Sequence, residues 1–223
     1  MRAASVAICL AALATPAAAQ SPRELLTHAA YGTRTKAEAL GVVNRALAAA
    51  EAMLRRNPGD QEAKLQRAIA MGYRGKLTRS RGDVIACRKG LEALIAVNPR
   101  HAEAFLALGG WHLSAVDELG GLVARTALGA REQAGRAALD RALALGRGNV
   151  LFPAYASMTL AEFNPKDTAR PLQLAQAALA TPARNGLDQR LKRALQQLLA
   201  PLRAGNGKAA EALAEKLKPF GRF

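Results

Sequence analysis

Alanine makes up roughly a quarter of this chain, far above ordinary usage. No residue is a better helix former, and alanine is a poor strand former. A chain so composed folds as helices that approach closely through small side chains, and an all-β or open-sheet protein is excluded. Hydrophobic residues reach 50%, too many for a disordered chain. No window alternates with period two for long enough to make a strand. The fold class expected is all-α, and 223 residues suit one domain or an array of small units.

The first nineteen residues stand apart. Arg2 is followed by an apolar run from Ala3 to Leu13, then by Pro16 and Ala17-Ala18-Ala19. This is the charged, apolar and small-residue order of a secretory signal peptide. Cleavage is expected after Ala19, leaving residues 20–223 as the mature domain in the periplasm of a Gram-negative bacterium. The apolar run is shorter than the ~20 residues that a membrane span needs, and no later segment is apolar enough to make a transmembrane segment. Cys87 is then the one cysteine left, so no internal disulfide can form, and its apolar neighbours suit a small core residue. The formal charge is +15, or 15 − 1 = +14 without Arg2. Such a charge favours anionic neighbours: lipid head groups or an acidic protein. An export signal argues against nucleic acid.

Helix signals recur between breakers. Helices are expected at Pro22–Tyr31, Lys36–Arg56, Gln61–Tyr73, Asp83–Val97, Ala102–Ala115, Ala130–Leu145, Val150–Phe163, Asp167–Ala180, Asn185–Leu202 and Gly207–Leu217. Thr35 or Thr33, then Asp60 and Asp83, are expected N-caps. Pro58 and Pro99 end the helices before them, because a residue preceding proline avoids the helical region. Residues 75–82, bounded by glycines, are expected to form a basic loop, and residues 115–129 a long insertion. Arg74, Lys76, Arg79 and Arg81 make the loop a candidate surface for an anionic partner or membrane.

No catalytic chemistry is written in the chain. There is no phosphate-binding glycine loop, no H-E-x-x-H, no paired cysteine and no nucleophile elbow. His101 and His112 share a helix but lie roughly 16 Å apart, too far to share a metal. No cofactor, metal or enzyme activity is expected. Asp117-Glu118 and Glu211 with Glu215 suit exposed helix faces.

Two segments repeat. Asn57-Pro58 through Ala63 matches Asn98-Pro99 through Ala104, and Phe105-Leu-Ala-Leu108-Gly109 is echoed from Phe152. Each first helix thus carries two bulky residues and then a small one, and Ala46, Cys87 and Gly135 offer small residues on the second helices. At Phe105, Leu108, Gly109 and His112, with closing prolines at Pro58 and Pro99, the chain resembles a tetratricopeptide repeat (TPR). The unit spacing is longer than that family's, and Gly146-Arg147 replaces a third Asn-Pro. The segment after Trp111 is also similar to the helical domain of the regulator of microtubule dynamics family and to the T components of TRAP transporters. The TPR resemblance implies a right-handed α-solenoid of about four helix pairs, with capping helices at the C-terminal end. It also implies a groove lined by first helices: Leu65, Ile69 and Tyr73, then Leu106, Gly110 and Leu113. The function expected is a non-enzymatic periplasmic scaffold that binds a protein partner through that groove. The alternative is a carrier of a lipid or other apolar ligand, associated with a transport system.

Overall fold

A computed structural model describes residues 20–221; the expected signal peptide lies outside the described residues. The described residues are all-helical, with no strand and 11 helices. In order these are α1 (Pro22–Tyr31), α2 (Lys36–Arg56), α3 (Gln61–Thr78), α4 (Arg81–Val97), α5 (Ala102–Leu119), the single-turn α6 (Gly121–Val123), α7 (Glu132–Leu145), α8 (Leu151–Phe163), α9 (Ala169–Ala180), α10 (Gly186–Arg203) and α11 (Gly207–Leu217). A π-helical turn, Ala124–Leu128, joins α6 to α7. Among the described residues no helix is long and apolar enough to cross a membrane.

Local chemistry explains the boundaries. Ser21 caps α1, and Glu24 returns the bond to its backbone. Thr35 and Asp60 cap α2 and α3 as expected. The Asn57 side chain accepts the Gly59 N–H at 3.0 Å, and Asn98 repeats this with Arg100 at 3.0 Å. Asn164 makes the same turn with Lys166 at 3.2 Å. A third Asn-Pro turn therefore exists at Asn164-Pro165, where the sequence reading placed none.

Two expectations fail. The basic loop at 75–82 is largely helix, because α3 continues to Thr78 and α4 begins at Arg81. Ser80, not Asp83, caps α4. Gly75 is not a hinge: a Cβ there would meet a Val84 methyl at 2.7 Å and the Val84 nitrogen at 3.0 Å. The glycine lets α3 and α4 touch. The insertion at 115–129 is built largely of helical turns. α5 runs four residues beyond Ala115, and the π turn buries Ala124 and Leu128 with Ala115 and Ala130.

The core is a succession of clusters, each shared by neighbouring helices. In α2 the residues Ala39, Val42, Val43, Ala46, Leu47 and Ala50 are buried at helical spacing, facing α1 and α3. Leu65, Cys87, Leu91 and Leu94 join α3, α4 and α5. Leu106, Leu113, Leu139 and Phe152 join α5, α7 and α8. Met158, Leu191, Leu195, Leu198 and Ala214 tie α8 to α10 and α11. Each fully buried leucine contributes about 1.5–3 kcal/mol over an exposed one. Burial pushes the Cys87 thiol up to about 12, so it is a core residue and not a nucleophile.

Small residues set the distance between α5 and α7. A Cβ on Gly109 would fall 2.7 Å from a Leu139 methyl and 3.0 Å from the Gly135 carbonyl oxygen. One on Gly135 would meet Leu113 at 2.8 Å. Gly109→Leu should therefore overpack this contact and lower stability by about 1–3 kcal/mol. Thermal unfolding checks it, and an unchanged melting temperature would mean that the helices do not meet there.

Candidate functional site

The helices α1, α3, α5 and α8 touch in series, α3 lying between α1 and α5, and α5 between α3 and α8. α5 and α8 come together at Gly110, where a Cβ would stand 2.7 Å from the Tyr155 hydroxyl. Tyr155, Thr159 and Glu162 recur at spacings of four and three, and so share one face of α8. Leu113, Ser114 and Asp117 of α5 face Thr159, Glu162 and Phe163 of α8 across a narrow cleft, closed by Lys218. Lys218 and Glu162 form an ion pair in which the two side chains are 5% and 16% exposed.

The cleft is acidic in a chain that is otherwise strongly basic. Burial, then the nearby Glu162 carboxylate, raises the Asp117 carboxyl above the usual range; Lys218 opposes this, while Glu211 and Glu118 add to it. Two carboxylates, Asp117 and Glu162, thus line the cleft with one ammonium. Farther along, burial holds the Tyr73 and Tyr155 phenols above the ordinary tyrosine range. Lys76 lies close enough to Tyr155 to pull in the opposite direction.

After α11 the chain turns across these helices. Lys218 is extended, at φ −72° and ψ 166°. Phe220 is 2% exposed and stands edge-on to the Tyr73 ring, with centroids 4.8 Å apart. The Phe220 N–H donates to the Ala30 carbonyl of α1 at 3.3 Å. Three residues therefore reach from α8 to α3 and α1. Nearby, the Arg190 guanidinium of α10 lies 5.4 Å over the Tyr31 ring of α1.

The residues expected to line a groove divide. Leu65 and Leu113 are 0% exposed and Leu106 is 5% exposed, so these three pack inside the core and offer no open surface. Ile69 is half-buried between two core clusters. Tyr73 and Gly110 are also packed against other side chains, Phe220 lying edge-on to the first and Tyr155 beside the second.

The four cations of the expected loop divide as well. Arg74 grips Asp83 through two hydrogen bonds of 2.7 and 2.6 Å, which hold the Asp83 carboxyl below its usual range. Arg81 donates twice to the Ala127 carbonyl, at 3.2 and 2.7 Å. Lys76 and Arg79 are exposed without such a bond, and Arg81 is exposed as well.

The repeat-like residues have structural surroundings. Phe105 packs with the α5–α8 cluster and Leu108 with the α3–α5 cluster. Pro58 and Pro99 sit in exposed turns. Trp111 donates its ring N–H to the Val84 carbonyl at 2.9 Å, and Arg88 lies 5.7 Å over its ring. His112 is buried, and its Nδ1 accepts the Arg131 N–H at 3.3 Å.

Sequence reading missed Glu162, Lys218 and Phe220; Asp117 is exposed, as expected, although it also lines the cleft. One signal was present: Glu162 is the lone charged residue in the mostly apolar run Leu151–Phe163. A wider depression of about 570 Å³ lies over α9 beside Arg170 and Gln173. One helix and its leading turn supply its lining, so groups from different elements do not converge there. No group of metal-ligating side chains occurs among the described residues. No protein-family model matches the chain, and no curated protein or solved structure is significantly similar to it.

Proposed function

We propose that this chain is a non-enzymatic, TPR-like scaffold, exported to the periplasm, that binds a protein partner through the inner face of α3, α5 and α8. In this reading the serial contacts of α1, α3, α5 and α8 make them the first helices of successive pairs in a right-handed α-solenoid. One observation carries it: that face already holds a non-helical turn of polypeptide, Lys218 to Gly221, closed by the Gly221 N–H on the Lys218 carbonyl at 3.1 Å and held through a side-chain ion pair, an aromatic contact and a backbone hydrogen bond. A surface with acidic, aromatic and backbone acceptor groups in line suits a peptide. The carrier reading has no comparable support, because Leu65, Leu106 and Leu113 pack against core neighbours.

A photo-crosslinking residue placed at Ser114 of the full chain in living cells tests the proposal, with Ala93 on the exposed side of α4 as the control position. The scaffold reading expects a discrete protein adduct from Ser114 and none from Ala93. Identical adduct patterns from both positions would contradict it.

A further inference from the structure

The segment after α11 shows which chemistry the inner face recognises. Lys218, Pro219 and Phe220 are consecutive and all buried, although none belongs to a helix. Burying an ammonium is unfavourable unless it is paired and hydrogen-bonded, and the cleft meets this need with Glu162 and the neighbouring Asp117. Two carboxylates, Asp117 and Glu162, line the cleft around that one cation, in a chain of net charge +15. The cleft is therefore built for positive charge against the sign of the whole molecule.

The aromatic end is equally specific. Phe220 adopts φ 65°, one of only two non-glycine residues with positive φ among the described residues. An L-residue takes that conformation at a cost. Phe220 is the third residue of a turn in which the Gly221 N–H donates to the Lys218 carbonyl at 3.1 Å, and this turn sets a ring edge on Tyr73 and an N–H on Ala30. Charge, proline and aromatic ring thus meet α8 and α5 first, and α3 and α1 last. Nothing in this series needs the segment to come from the same chain.

Resting on the reading of this face as a binding surface, we propose that it recognises a basic–proline–aromatic turn of a partner protein. Lys218–Phe220 is the resident copy of that segment, and a partner must displace it. A segment tethered directly to α11 competes at an effective concentration in the millimolar range. The resident copy therefore sets a threshold that weak or mismatched partners do not pass. Recognition is partly Coulombic, so it weakens with salt.

A fluorescent peptide of sequence Lys-Leu-Lys-Pro-Phe-Gly, matching residues 216–221, tests this by polarisation. The full chain carrying Lys218→Ser and Phe220→Ser should bind it saturably, with circular dichroism confirming the fold. Wild type should bind at least tenfold more weakly. Adding Glu162→Gln to the double variant should weaken binding at least tenfold, as should glutamate in place of the second peptide lysine. Phe220→Ser alone, which keeps the ion pair, serves if the double variant does not fold, and should bind more tightly than wild type. Equal binding by wild type and the vacated chain would overturn the proposal, as would indifference to the lysine-to-glutamate change. If the peptide fails while the Ser114 crosslinker still captures a protein, the recognition chemistry falls and the scaffold reading stands. If both fail, both fall.

Discussion

Leu65→Ala should lower the unfolding free energy by about 2–5 kcal/mol, the range for a buried leucine truncated to alanine. Leu65 is 0% exposed, and it packs with Ala68, Cys87, Leu91, Leu94 and Ala104 across three helices. Those neighbours are held by their own helices and cannot close the void, so the cavity adds to the lost transfer energy. Urea unfolding followed by far-ultraviolet circular dichroism measures it. A change below about 0.5 kcal/mol, as at surface positions, would place Leu65 on an open groove, as the family resemblance implies.

The second large effect depends on pH. The His112 ring is buried, and burial, followed by the nearby Arg88 and Arg131 charges, lowers its pKa to about 4. The unfolded chain titrates near the ordinary value of about 6.5. Between these values the unfolded state binds more protons, so stability rises with pH across the window. The contribution of neutral His112 is complete above about pH 6.5 and is lost as pH falls toward 4. The expected loss is about 2 kcal/mol by pH 5 and about 3 kcal/mol in full. His112→Asn can keep an acceptor for the Arg131 N–H and carries no titrating ring. Unfolding free energies of the two proteins, measured from pH 7.5 to 4.5, should converge as pH falls. Parallel curves would show that His112 is already accessible to protons in the folded state.

Much of the helical layout was legible because local chemistry sets it. Thr35 and Asp60 cap helices with their own side chains, and Asn57-Pro58 and Asn98-Pro99 end them. The errors arose where tertiary contact overrides local signals. Gly75 and Gly82 look like loop borders in sequence. Gly75, however, lies inside α3 because Val84 of the next helix occupies the space a side chain would need. Asn164-Pro165 was passed over because its offset of 66 residues from Asn98-Pro99 breaks the earlier spacing of 41.

The candidate site was less legible. Asp117 and Glu162 are 45 positions apart and Lys218 another 56 away, and no periodicity connects them. Arg74 and Arg81 looked like free charges because their partners, Asp83 and the Ala127 carbonyl, come from packing and not from composition. Leu65 lies on α3, and Leu106 and Leu113 lie on α5, all three as apolar positions. Whether such a residue meets solvent or another helix depends on what the rest of the chain lays over it.

The central claim is that the inner face of α3, α5 and α8 is the recognition surface. Amide spectra of the ¹⁵N-labelled chain carrying Lys218→Ser and Phe220→Ser, titrated with the Lys-Leu-Lys-Pro-Phe-Gly peptide, test it most directly. The account predicts shifts concentrated at Tyr73, Gly110, Ser114, Thr159 and Glu162. Shifts confined to α2, α4 and α9, or no shifts at saturating peptide, would contradict it.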